Sequence, residues 1–113
     1  METDGELRQS VIKTLPEVSE IKDTELRNKV IDAWVYSLSH SSFKSIDEMR
    51  ASGNPDTPRL KSGTQTDHIR GVTQLTMTLG DTLSKLFPQL PIKRDLLIAC
   101  AICHDVGKPF EFD

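Results

Sequence analysis

An all-α fold is what this sequence predicts, and three observations carry the prediction. Apolar residues recur at spacings of three and four along most of the 113 residues. No stretch alternates apolar and polar with period two, and no Asn-Gly or Asp-Gly turn joins β-branched runs. Proline falls between the periodic segments, where it ends helices without interrupting them.

The elements follow in order. Leu7, Val11 and Leu15 lie at i, i+4 and i+8, which predicts a helix over 6–15 that Pro16 stops. Asp23 or Thr24 caps a second helix whose apolar stripe is Leu26, Val30, Ile31, Trp34, Val35 and Leu38, with Arg27, Lys29 and Asp32 off it. That stripe, Trp34 included, reads as core. Ser37, Ser39, Ser41 and Ser42 mark its end, and Ser45 with Glu48 has capping-box spacing for a short helix through Met49. The run Ser52–Gly63 is loop chemistry, with two prolines within four residues.

Thr64 or Thr66 opens the longest helix, which ends near Phe87 before Pro88. On a helical wheel His68, Val72, Leu75, Leu79, Leu83 and Leu86 share one face, so His68 is expected to head a buried stripe. The last helix spans about Ile92 to His104. Residues 96–103 are apolar on every side, which predicts a central helix with neighbours all round. The domain division expected is 1–63, a helical segment with its loop, and 64–113.

Composition excludes several classes. No apolar run reaches the about 20 residues that cross a bilayer, so no membrane span is expected. The acidic start Met1-Glu2-Thr3-Asp4 is not a secretory signal. Two cysteines make no disulfide framework, and a cytoplasmic protein is expected. Fourteen Lys plus Arg against 17 Asp plus Glu, net −3, argue against dedicated nucleic-acid binding. Residues 59–113 carry the milder balance, net +1 against −4 for residues 1–58, and are the better place for an anionic ligand.

The apolar helix runs straight into His104-Asp105, then Val106-Gly107-Lys108-Pro109. An unpaired carboxylate at the end of an apolar helix carries a desolvation cost. A metal ion removes it by offsetting the charge and taking an imidazole lone pair. Adjacent residues on a helix project about 100° apart, too far to meet one point. At a helix terminus the constraint relaxes, and Gly107 is expected to supply the C-cap flexibility that lets the chain turn.

Other readings of the same residues exist. Cys100-Ala101-Ile102-Cys103-His104 matches the C-x-x-C-H haem-attachment pattern. It also permits a zinc site from Cys100, Cys103, His104 and His68. The simpler reading makes both cysteines small buried hydrophobes. Lys61, Thr64 and Arg70 flank the His68 end, either as anion contacts or as an exposed, capped helix start.

His68 followed by His104-Asp105-Val106-Gly107-Lys108 resembles the first half of the HD domain superfamily of metal-dependent phosphohydrolases, over residues 64–113. The resemblance implies a helical bundle, here incomplete at its C-terminal end, and metal ligands at His68, His104 and Asp105. It implies one or two divalent ions (Mn, Fe, Mg or Zn), with Asp105 in position to bridge two. Asp105 and Lys108 are the implied catalytic residues, Lys108 reaching a phosphate oxygen of a small phosphorylated substrate. A metal-activated water would hydrolyse a phosphate ester or phosphoanhydride. The family's last Asp ligand is expected on a later helix. Glu111 and Asp113 lie too near the His-Asp pair for that role, so a longer natural protein, or a second chain in a homo-oligomer, is expected to complete the site. Two alternatives share the scaffold: a di-iron oxygenase, and a non-catalytic helical regulatory module with a vestigial metal site.

Overall fold

The structure, a computed structural model, describes residues 3–50 and 63–112. Most of the predicted loop Ser52–Gly63, Lys61 included, lies outside the described residues. Helix α1 spans Asp4–Thr14, with Thr3 Oγ1 accepting the Glu6 backbone N–H at its start. Pro16 opens a short 3-10 helix, Pro16–Glu20, in place of a further α-turn. Helix α2 spans Thr24–Ser39, and Asp23 caps it by accepting the Leu26 N–H. A second 3-10 helix covers Ile46–Glu48, capped by Ser45 through the Asp47 N–H. Helix α3 is Gln65–Leu86, α4 is Arg94–Cys103 and α5 is Lys108–Phe112. Among the described residues there is no strand, only an isolated bridge between Arg50 and Thr64.

The core lies where α1, α2, α4 and the first 3-10 helix meet. Leu7, Val11, Leu15, Val18, Ile21, Val30, Ile31, Trp34, Leu38, Ile98 and Ile102 are buried together, and Ile69 joins them from α3. The stripe predicted for α2 is thus the stripe that packs. Trp34 is fully buried, and its indole N–H donates to the Ile102 carbonyl at 2.9 Å, so its polar atom is satisfied.

Buried charge between the first 3-10 helix and α3 is compensated. Glu17 accepts two bonds from Arg70 Nε, at 3.0 and 3.1 Å, and one from Gln74 at 2.8 Å. Arg70 is therefore committed to Glu17, and the bland alternative to anion binding is what the fold adopts for it. At the opposite end of α3, Arg94 bridges Asp81 and Glu20, which raises its pKa and ties α4 to α3 and to the 3-10 helix.

One glycine is demanded by the backbone. Gly63 takes a φ of +76°, and a Cβ there would lie 2.7 Å from Asp67 Oδ2. That carboxylate accepts the Thr64 N–H and closes the capping box of α3. Gly80 sits where α3 meets α4, and a Cβ would lie 2.7 Å from Leu97 Cδ1.

Two sequence expectations are corrected. The leucine face of α3 is not buried: Leu75, Leu79 and Leu86 are 73%, 62% and 62% exposed. The residues that α3 buries are Gln65, Thr66, Ile69, Thr73 and Gly80, a face rotated by roughly 100° from the leucines. Secondly, α4 is covered by α2, α3 and the first 3-10 helix, but Leu96 and Cys100 on its remaining side are exposed. Those two residues continue the uncovered leucine face across the groove between α3 and α4. Gly107 does not adopt the left-handed conformation; among the described residues only Gly63 does. His104 ends α4 in right-handed geometry, and the chain reverses through the bonds Val106 N–H to Cys103 O and Lys108 N–H to Asp105 O. A pair of tight turns does what a glycine cap was expected to do.

Candidate metal centre

His68 lies one turn into α3, and His104 and Asp105 lie in the turn between α4 and α5. The turn matters because two adjacent residues on continuous helix would diverge. Here they converge on His68. His68 Nε2 is 3.2 Å from His104 Nε2, and Asp105 Oδ2 is 3.1 Å from each. Two donors about 2.1 Å from one tetrahedral or octahedral ion stand about 3.0–3.4 Å apart, so this triangle has the edge lengths of a ligand set. Among the described residues it is also the one group of His, Cys, Asp and Glu atoms placed to hold an ion.

The lone pairs are aimed as well as placed. His104 Nδ1 is 2.6 Å from the Ala101 carbonyl, which can only accept, so Nδ1 carries the proton. In the neutral ring this leaves the Nε2 lone pair facing His68 and Asp105. Asp105 Oδ2 accepts a hydrogen bond from Gln65 Nε2 at 2.8 Å. Gln65 is fully buried at the first position of α3, and its backbone N–H is held by the Met49 carbonyl at 2.8 Å.

Helix α2 supports the turn from behind. The last carbonyls of a helix lack intrahelical partners and need others. Trp34 supplies one to Ile102, and Ser37 Oγ donates to the Val106 carbonyl at 2.6 Å. The residues flanking His104-Asp105 are thereby clamped to the core. Neither contact is visible in the sequence, because each joins positions almost 70 apart. Gln65 left a fainter signal: it precedes His68 by three, so the two share a face of α3.

Lys108 stands at the start of α5, three residues beyond Asp105. Its ammonium bonds Glu111 at 2.9 Å. Glu111, chiefly through that bond, and the charge of Asp105 raise its pKa, so it is a cation at neutral pH. The Cys readings fare differently. Cys103 packs against the core, and burial, with a smaller contribution from Cys100, pushes its thiol up to about 11. It therefore stays protonated near neutrality, whereas zinc takes thiolate. Cys100 is exposed, contrary to its expected burial, and neither sulfur joins the described ligand group. His40 is outside the site, stacked on Tyr36 at a centroid distance of 4.1 Å.

Helical architecture with a His, His-Asp triangle at the end of an apolar helix defines a helical domain with a candidate metal site. The family model of the HD domain matches residues 66–113 of the chain. The whole ligand triangle and Lys108 fall inside the match. The chain is also 31% identical over 98 residues to the dihydroneopterin 2',3'-cyclic phosphate phosphodiesterase of Methanocaldococcus jannaschii. That alignment covers 82% of this chain and 38% of the relative, so the chain spans well under half the relative's length. No solved structure matches the chain. Among the described residues no helix is long and apolar enough to cross a membrane.

Proposed function

We propose that this chain carries the metal-binding half-site of a phosphohydrolase that cleaves a small phosphodiester. The carrying observation is the triangle of His68 Nε2, His104 Nε2 and Asp105 Oδ2, with edges of 3.1–3.2 Å. The relative's name, a cyclic-phosphate phosphodiesterase, supports a phosphodiester over other phosphorylated substrates. A divalent ion bound there would lower the pKa of a coordinated water towards neutrality and so supply the nucleophile.

The chain's own residues prepare that chemistry. Ala101 fixes the His104 tautomer, and the imidazoles and carboxylate present lone pairs to one point. Lys108 is the group for a phosphoryl oxygen. Its Glu111 partner is largely exposed, and exposed pairs are weak in water, so an anionic substrate can displace it. Helix α2 serves as a platform for the candidate site, through the clamps of Trp34 and Ser37 on the α4–α5 turn.

The test is metal content and phosphodiester hydrolysis of the purified protein beside its His104→Ala and Asp105→Ala variants. Each variant is expected to lose bound metal and hydrolysis of bis(p-nitrophenyl) phosphate. Equal metal in all three proteins sinks the reading. An oxygen-consuming di-iron centre, seen by its absorption spectrum, would replace hydrolase with oxygenase.

A further inference from the structure

We infer that Gln65 is a positioning residue for the metal ligand Asp105. The inference rests on the metal-binding reading above and adds a residue to it. Gln65 is fully buried, although a buried amide costs free energy unless its polar atoms are satisfied. It stands in the first turn of α3, one turn before His68. The amide donates through Nε2 to Asp105 Oδ2 at 2.8 Å.

The choice of oxygen is what gives the contact meaning. Asp105 Oδ2 is the same atom that lies 3.1 Å from both imidazole nitrogens. A carboxylate oxygen has two lone pairs. Gln65 engages one, and the other is left on the side of His68 and His104. The amide is also neutral. A Lys or Arg in its place would orient the carboxylate but compete with a cation for its charge. Because Gln65 and His68 are three residues apart, one turn of α3 presents a ligand and orients another. The anchoring of the Gln65 backbone on Met49 holds the start of that turn in place.

The experiment compares the wild-type chain with Gln65→Met and Gln65→Asn. Mn2+ and Zn2+ are titrated separately by calorimetry, and metal-free thermal unfolding is recorded for each protein. Loss of a partner that orients a ligand weakens metal binding by about 10- to 100-fold. The expected result is such a rise in Kd for both variants. The metal-free Tm of Gln65→Met should equal or exceed that of the wild type. The Asn variant keeps an amide but is one methylene too short to reach, so the test survives if the Met variant does not fold. A variant Kd within twofold of wild type overturns the inference. So does a rise in Kd that vanishes once the folded fraction is accounted for. Failure of the wild type itself to bind either ion is a distinct outcome: it removes the metal reading, and this inference with it.

Discussion

Helix α3 has two faces, and they invert the usual rule of burial. One face carries Val72, Leu75, Leu79, Leu83 and Leu86, and its large leucines are mostly exposed. The other carries Gln65, Thr66, Ile69, Thr73 and Gly80, and it is buried. Helix α4 repeats the contrast, with Ile98, Ala99, Ala101 and Ile102 inside and Leu96 and Cys100 outside. Between the two outer faces runs an apolar groove of about 400 Å³, bordered by Leu79, Leu83, Ile92 and Leu96. A helical wheel reports where apolar residues are. It does not report which side of the helix the rest of the chain occupies.

The buried polar face has its own logic. Three of its residues meet specific neighbours: Gln65 meets Asp105, Thr73 bonds the Ile69 carbonyl at 2.7 Å, and Gly80 admits Leu97. Thr66 Oγ1 alone is buried without a partner among the described residues. This face is fitted to particular partners, and the leucine face carries large apolar side chains that the described residues leave mostly uncovered.

Three measurements would break or sharpen this contrast. The largest effect belongs to the inner face. Ile69→Ala should cost about 2–5 kcal/mol, because a fully buried side chain is replaced by a cavity. A loss below about 1 kcal/mol in urea unfolding would show that the buried face is misassigned.

Next comes the inner side of α4. In the wild-type chain, alkylation of Cys103 followed site by site by mass spectrometry should rise with pH to a midpoint at about 11, in place of the 9.0 usual for a thiol. The sign for stability follows. A thiol whose folded pKa is raised favours the folded state fully below the unfolded pKa, and that contribution is lost as pH climbs through the folded value. Stability should therefore fall between about pH 9 and 11, and Cys103→Ala should abolish that part of the decline. An alkylation midpoint near 9 would place Cys103 in water.

The smallest effect is expected on the outer face. Leu79→Ala deletes the same number of carbon atoms as Ile69→Ala, yet should change stability by no more than about 0.5 kcal/mol in this chain. A loss comparable to that of Ile69→Ala would mean that something covers the leucines in solution.

Legibility in the sequence follows the range of the interactions. The helix limits were readable from caps and breakers. Thr24 and Ser39 bound α2, and the longest helix, expected to end near Phe87, ends at Leu86. His68, His104 and Asp105 were readable as an imidazole on a helix face and an imidazole-carboxylate pair at the end of an apolar run. The turn after α4 needs no left-handed backbone at Gly107: a tight hydrogen-bonded turn brings the adjacent candidate ligands together. Gln65 was overlooked because a glutamine near a helix start is ordinary until its partner is known.

By itself, then, the sequence determined the longer helices, though not α5, together with the segment that carries the HD motif and the identities of the candidate ligands. These depend on contacts within a few positions: backbone ladders, caps, and side chains one turn apart. Only the tertiary structure decided that α3 buries its polar side, that α2 clamps the His-Asp turn, and that Gln65 meets Asp105. Those outcomes hang on hydrogen bonds between residues 40 to 69 positions apart. No local preference encodes such pairings, because a helix keeps its backbone bonds whichever face it turns inward.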